Sequence, residues 1–360
     1  MKSLQNNFNG TKWFIEGDIK GFFDNIDHNV LIEILRERIL DERFLRLIRK
    51  FLNAGYLEEW QFNKTYSGTP QGGIVSPILA NIYLDKFDKF MEEYAQKFRK
   101  GTVRRRNKDI CKLNNRVHYL KKRISEVKDA VKISAMIDEL RTKQRQILTM
   151  PSGVDMDENF RRLKYVRYAD DFLIGVIGTK EECVKIKADI THFMQEKLKL
   201  EMSQEKTLIT NAQDYAKFLG YEICVRKDYT AQKNARGEIR RHRNGNVVLH
   251  ISREVIKKKL IDLAAMEVVS EKGKEVWRYR GRTYLIDLEP QEIVSRYNTE
   301  IRGFYKYYSI ANNASALGSS FGCIMKFSMF KTLAMKWNCS VRAVTNKLRK
   351  DDNFVVWFTD

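Results

Sequence analysis

Two spacings of apolar residues alternate along this chain, and the switches between them mark its elements. Residues 12–19, "KWFIEGDI", form a short apolar run that reads as a strand. The following "GFFDNIDHNVLIEILRERI" changes to a helical period, with Val30, Leu31, Ile34 and Leu35 as the stripe and Asn29 as N-cap. "SGTPQGGIVSP" (67–77) is a Gly/Pro loop, and a strongly periodic helix covers 78–98. Leu113, Val117, Leu120, Ile124, Val127 and Val131 alternate at spacings of four and three, which predicts a basic helix with a heptad-like stripe. "MPSGVDMDENF" (150–160) breaks it and leads into "YVRYADDFLIGV" (165–176). There Tyr165, Val166 and Tyr168, then Phe172, Leu173, Ile174 and Val176, predict two strands of a hairpin with Asp170 and Asp171 at its turn.

An amphipathic helix follows at 180–200, then a strand around "KFLGYEICV" (217–225). The basic stretch 226–246 reads as a hairpin tip or loop, with "VVLHIS" (247–252) as the returning strand. Beyond it the pattern is helical. Pro290 opens a helix with Ile293, Tyr297, Ile301, Phe304 and Tyr308 on one face, and a later helix stops at Asn338. The order is that of an α+β core, a basic helical insertion and an all-helical tail.

Composition and charge narrow the function. The 360 residues, 43% hydrophobic and 31% charged, suit a soluble globular protein of two or three domains. Lys and Arg number 66 against 46 acids, a net charge of +20. Residues 97–123 carry twelve Lys/Arg and one acid, and residues 226–282 carry sixteen against seven. These two tracts account for the whole excess, so they predict a footprint for a polyanion, either nucleic acid or an anionic membrane surface. No apolar run is long enough to span a membrane, and the N-terminus lacks a signal-peptide core. The five cysteines are scattered, which argues against a zinc site or a disulfide framework and for a reducing compartment.

Two adjacent carboxylates at the tip of an apolar hairpin need compensation, because buried charge is costly unless paired or bound to a cation. Asp18 closes the first strand, and strand ends and turn tips are where carboxylates from distant segments converge. Three carboxylates without His or Cys suit hard, oxygen-seeking cations, Mg²⁺ above all. Two such ions about 4 Å apart are the apparatus of in-line phosphoryl transfer.

"FIEGDIKGFFDNIDH", "GTPQGGIVSPILANIYL", "YVRYADDFLIGV", "LEMSQEKTLI" and "KFLGYEI" stand in the order of reverse transcriptase palm motifs. "RYNTEIRGFYKYYSIANN" and the helix-rich segment after it resemble the thumb, or maturase domain, of group II intron proteins. The resemblance implies a right-hand polymerase palm, an antiparallel sheet with helices. It divides the chain into partial fingers and palm (1–98), a basic helical insertion (99–160), palm with hairpin and primer-grip strand (161–252), and a helical thumb (253–360). The implied activity is RNA-directed DNA synthesis with two Mg²⁺ ions (or Mn²⁺ as substitute). The implied partners are dNTPs, a DNA primer, an RNA template and group II intron RNA, with no membrane.

Residue by residue, the resemblance makes Asp18, Asp170 and Asp171 the catalytic metal-binding triad, with the Ile19 carbonyl also near a metal. Phe23 matches the position that excludes a ribose 2′-hydroxyl, and its neighbour Phe22 is the better core candidate. Gln71 and Gly72 match residues beside the incoming nucleotide, and Lys206 matches a lysine near the leaving phosphates. Phe218, Leu219 and Gly220 resemble the primer-positioning strand. Arg104, Arg105 and Arg106 in the insertion and Arg302, Tyr305 and Lys306 in the thumb are expected to touch RNA. Only 17 residues precede Asp18, and the sequence ends just after the thumb. The expectation is therefore a chain lacking the upstream fingers and the downstream DNA-binding and endonuclease regions, one that binds structured RNA but synthesises DNA poorly alone. A catalytically incomplete, RNA-binding splicing factor is the alternative, and a retron or diversity-generating enzyme the third. The expected location is a bacterial cytoplasmic ribonucleoprotein or an organelle.

Overall fold

The computed structural model describes residues 1–58, 61–63, 68–69, 74–233, 235–237, 239–241, 244–350 and 353–354. The chain divides into two compact units, one of residues 3–219 and 223–247, the other of residues 1–2, 220–222 and 248–360.

The larger unit is built on four antiparallel strands: β1 (Trp13–Gly17), β2 (Arg162–Tyr168), β3 (Asp171–Ile177) and β4 (Ile209–Asn211). Their order is β2-β3-β1-β4. β3 is apolar over nearly its whole length and Phe172 to Val176 are buried, as suits a strand inside a sheet. It pairs with β1 in the register Trp13↔Val176, Ile15↔Ile174 and Gly17↔Phe172. The core includes residues of the Ser76–Phe98 and Lys180–Leu198 helices. Phe87 meets Phe172 edge-on at 5.1 Å between ring centroids, and Phe90 stacks on Phe193 at 4.1 Å. Among the described residues no helix is long and apolar enough to cross a membrane.

Several boundaries differ from the expectation for local reasons. The helix His28–Arg36 is capped by Asp27 rather than Asn29; the Asp27 carboxylate accepts from the Asn29 and Val30 amides. The basic helix expected through Val131 is two helices, Lys108–Glu126 and Ala130–Leu148. Asp129 caps the second by accepting from the Val131 and Lys132 amides, so the stripe breaks at Val127. Arg116 then joins the pair, donating through Nε and Nη2 to the two Glu139 oxygens at 2.8 Å each. The strand expected over 217–225 is interrupted by Leu219 and Gly220, both at positive φ, which leaves Ala216–Phe218 and Tyr221–Val225.

In the smaller unit the helix Pro290–Tyr308 buries Ile293, Tyr297, Phe304 and Tyr308, and Phe304 stacks on Phe321 at 4.3 Å. Ile301, expected on the same face, is half-buried. Arg282 is 1% exposed, pairs with Glu300 at 2.5 Å and lies 4.2 Å from the Tyr297 ring centroid. The expectation of an all-helical tail needs correction: Met266–Glu271 and Lys274–Tyr279 form an antiparallel ribbon. Lys272 and Gly273, both at positive φ, make its two-residue turn.

Candidate active site

The register of β1 and β3 decides the site. Gly17 faces Phe172, so the next residues, Asp18 and Asp171, are neighbours at the end of the sheet. Asp170 sits in the turn between β2 and β3. A Cβ on Gly17 would lie 2.1 Å from the Phe172 ring, so the chain just before Asp18 needs glycine. Burial, then the charges of Asp170 and Asp18 and a hydrogen bond with Asp18, push the Asp171 carboxyl above its ordinary value.

A cation answers part of that crowding. Residues 201–208 run beside the end of β1, with the Ser203 amide donating to the Asp18 carbonyl at 2.9 Å and the Leu208 amide to the Glu16 carbonyl at 3.1 Å. They deliver Lys206 Nζ to Asp18 Oδ2 at 2.9 Å, and that hydrogen bond holds the ammonium above its ordinary pKa. Ile19 bridges to Met202 through the Ser203–Asp18 and Lys20–Glu201 hydrogen bonds, a pattern that employs neither the amide nor the carbonyl of Ile19. Among the described residues no three His, Cys, Asp or Glu side chains are gathered closely enough to hold an ion as they stand. The donor chemistry nonetheless fits one, being oxygen alone with its charges crowded on one another.

Phe22 is 2% exposed while Phe23 is half-buried, with ring centroids 5.3 Å apart, so Phe23 is the one that faces partly outward. Its carbonyl accepts from the Thr69 amide at 2.6 Å, and the Ile26 carbonyl accepts from the Gly68 amide at 2.8 Å. Gly68, at φ +82°, lies so close to the Phe23 and Asp24 backbone that a Cβ would stand 2.4 Å from the Phe23 carbonyl oxygen. This ties the start of the Gly/Pro loop to the short helix Phe22–Asn25. Gln71 and Gly72 lie outside the described residues.

Phe218 is buried, Leu219 half-buried and Gly220 exposed. Glu16, 8% exposed and not singled out from the sequence, accepts from the Lys217 amide at 2.7 Å and the Thr210 hydroxyl at 2.5 Å. It thereby holds the Ala216–Phe218 strand to β1. The only sequence signal was a carboxylate inside a buried strand. Arg167 was also missed: it donates to Asp88 and to the Ala169 carbonyl at the hairpin turn.

The arginines separate. Arg105 is tied to Asp157, whose side chain is 1% exposed, through its amide at 2.8 Å and its guanidinium at 3.1 Å. Arg104 lies 5.4 Å from the Phe160 ring centroid, and Arg106 bridges to Gly153 through its backbone. Arg104 also lines a cavity with Trp13, at the opposite end of β1 from Asp18. Arg302, Tyr305 and Lys306 all fall on the exposed side of the Pro290–Tyr308 helix.

Two family profiles match most of the chain. The profile described as "Reverse transcriptase (RNA-dependent DNA polymerase)" matches residues 1–114 and 133–223. The "Type II intron maturase" profile matches residues 248–356. The "Group II intron-encoded protein LtrA" of Lactococcus lactis subsp. cremoris is 41% identical over 93% of this chain and 55% of its own length. The "Putative COX1/OXI3 intron 1 protein" of Saccharomyces cerevisiae is 34% identical over 96% of this chain and 40% of its own. The chain thus spans about half the length, or less, of these curated relatives. Apo telomerase from Candida tropicalis shares 11% identity over 93% of this chain and 43% of its own, with a TM-score of 0.38, too slight to carry an argument. The chain belongs to the group II intron reverse transcriptase/maturase family.

Proposed function

We propose that this chain is an RNA-directed DNA polymerase that adds deoxynucleotides to a primer 3′-hydroxyl, and that it binds its intron RNA to assist splicing and mobility. The observation that carries the reading is the meeting of Asp18, Asp171 and Lys206 at the end of β1, with Asp170 in the adjoining turn.

Asp18 and Asp170 would be the main ligands of two divalent cations, Mg²⁺ or Mn²⁺, with Asp171 and the Ile19 carbonyl beside them. The bound cations would supply activation of the 3′-hydroxyl and neutralisation of the leaving pyrophosphate. The protein's own part is electrostatic and positional. Lys206 presents an ammonium beside the carboxylates, able to face the leaving phosphates as a cation or proton donor. Phe23 limits the room for a ribose 2′-hydroxyl, and Gln71 and Gly72 flank the incoming nucleotide. Phe218, Leu219 and Gly220 hold the primer end, with Glu16 anchoring the strand that ends at Phe218. Arg104–Arg106, Arg302, Tyr305 and Lys306 contribute RNA contacts. The domain division is fingers and palm to 98, insertion to 160, palm to 252 and thumb beyond. The working form is a ribonucleoprotein, in a bacterial cytoplasm or an organelle.

Primer extension on an RNA template, with RNA binding measured alongside, tests the proposal. Extension that requires Mg²⁺ or Mn²⁺ and disappears in Asp170→Ala, with RNA affinity retained, is expected. RNA binding without extension, both by this chain and by a form extended to the length of its relatives, would assign the splicing-factor role instead.

A further inference from the structure

A concavity lies away from the carboxylates. A cavity of about 680 Å³ opens at the Trp13 end of β1. Trp13 and Asp18 are five residues apart along an extended strand, so about 17 Å separates the two places. Its walls come from distant segments of the larger unit: residues 10–13, 150–156, 211–213, 225–229 and 244–246, with Arg104, Thr179 and Lys180.

Charge is its first property. Lys12, Arg104, Lys180, Arg226 and Lys227 line it against one acid, Asp155. Asp155 is already engaged, accepting from Lys12 Nζ at 2.5 Å and Lys227 Nζ at 2.9 Å. Burial opposes the ionisation of that carboxyl, but the two ammonium groups outweigh it and hold the carboxyl below its ordinary range. The two basic tracts of the sequence meet here, since Arg104 comes from the first and Arg226 and Lys227 from the second.

The remaining lining is suited to a base and its hydrogen bonds. Trp13 is half-buried with the Lys180 ammonium 6.0 Å from its ring centroid, and Tyr229 lies in the same wall. Asn244 Oδ1 accepts from the Asp228 amide at 2.6 Å. Asn244 Nδ2 is buried and, among the described residues, has no hydrogen-bond partner.

We propose that this cavity captures one unstacked nucleotide of a single-stranded or bulged polynucleotide. The base lies against Trp13 or Tyr229, and the flanking phosphates meet Arg104 and Lys180. A duplex is too wide to enter, and the net positive lining favours a polyanion over an uncharged ligand. The inference rests on the reading of the chain as RNA-binding, and gives that reading a second contact region remote from the polymerase carboxylates.

The test uses the full chain and a fluorescein-labelled single-stranded RNA carrying one 4-thiouridine, with anisotropy over a salt series and mapping of the photo-cross-link. The cross-link is expected at or beside Trp13 or Tyr229. Lys180→Ala and Arg104→Ala should each weaken binding about 3–10-fold and reduce the log–log salt slope by about 0.7 per lost phosphate contact. Lys180→Arg should restore both. Lys180 is exposed, so its variants should keep the parental circular dichroism. Parental affinity and slope in the Arg104→Ala/Lys180→Ala double variant, with cross-links elsewhere, would overturn the cavity while leaving RNA binding in place. No RNA binding by the parent chain would overturn both readings.

Discussion

Arg167 grips Asp88 with two parallel hydrogen bonds, Nε to Oδ1 at 2.8 Å and Nη2 to Oδ2 at 2.5 Å. Its third arm, Nη1, donates to the Ala169 carbonyl at 2.8 Å, and Tyr165 donates to Asp88 Oδ1 at 2.7 Å. The hairpin turn that carries Asp170 is therefore fastened to the Ser76–Phe98 helix. Ala169 itself is at φ 52°, a conformation an L-residue adopts only when its surroundings hold it there.

Arg167→Ala should thus act on both stability and synthesis. The Arg167 side chain is 9% exposed, and its loss leaves the Asp88 carboxylate without its fork. The expected cost is about 2–3 kcal/mol in urea unfolding, with primer extension reduced more than RNA binding. Arg167→Lys should recover part of the stability and less of the extension, because an ammonium cannot span Asp88 and Ala169 together. Unchanged extension in Arg167→Ala would show that the turn holds its shape without this anchor.

Neighbouring phenylalanines should separate cleanly. Phe22 is 2% exposed, so Phe22→Ala should destabilise by about 3–5 kcal/mol. Phe23→Ala should cost less and raise ribonucleotide incorporation relative to deoxynucleotides. Single-nucleotide incorporation with paired ribo- and deoxy-substrates checks this. Selectivity lost in Phe22→Ala but kept in Phe23→Ala would move the sugar gate by one residue.

The arginine run should behave as two kinds of residue rather than one patch. Arg105→Gln removes the guanidinium from a nearly inaccessible Asp157 and should lower the thermal midpoint. Arg106→Gln should leave the midpoint unchanged and flatten the salt dependence of RNA binding, if its side chain meets a phosphate. Melting curves and a salt titration on the same two variants decide between these effects.

Gly17→Ala tests the packing that sets Asp18 beside Asp171. The added Cβ would stand 2.1–2.6 Å from three Phe172 ring atoms, an overlap worth about 1–3 kcal/mol once the ring shifts. Extension should fall with stability, since Asp18 and Asp171 flank the strained pair. Adding Phe172→Leu should recover some of both by making room.

The sequence alone determined the features that local patterning or charge can encode. Alternating apolar runs marked β1 and the β2–β3 hairpin, and the helical stripes marked the main helices, because burial of one face imposes its own period. Asp18, Asp170 and Asp171 stood out in the sequence because carboxylates beside apolar runs are conspicuous. Ambiguity arose where two local rules competed. Asp129 as an N-cap split a stripe that periodicity would have continued, and Lys272-Gly273 turned a polar stretch into a ribbon. Only the tertiary structure decided which distant residues meet. The pairing of β1 with β3 set Asp18 beside Asp171, while backbone bonds beyond β1 brought in Lys206. Arg167 found Asp88, 79 residues away, and Glu16 found the Lys217 amide, 201 residues away. Such contacts depend on sheet register and helix packing, which a linear pattern of polar and apolar residues does not contain.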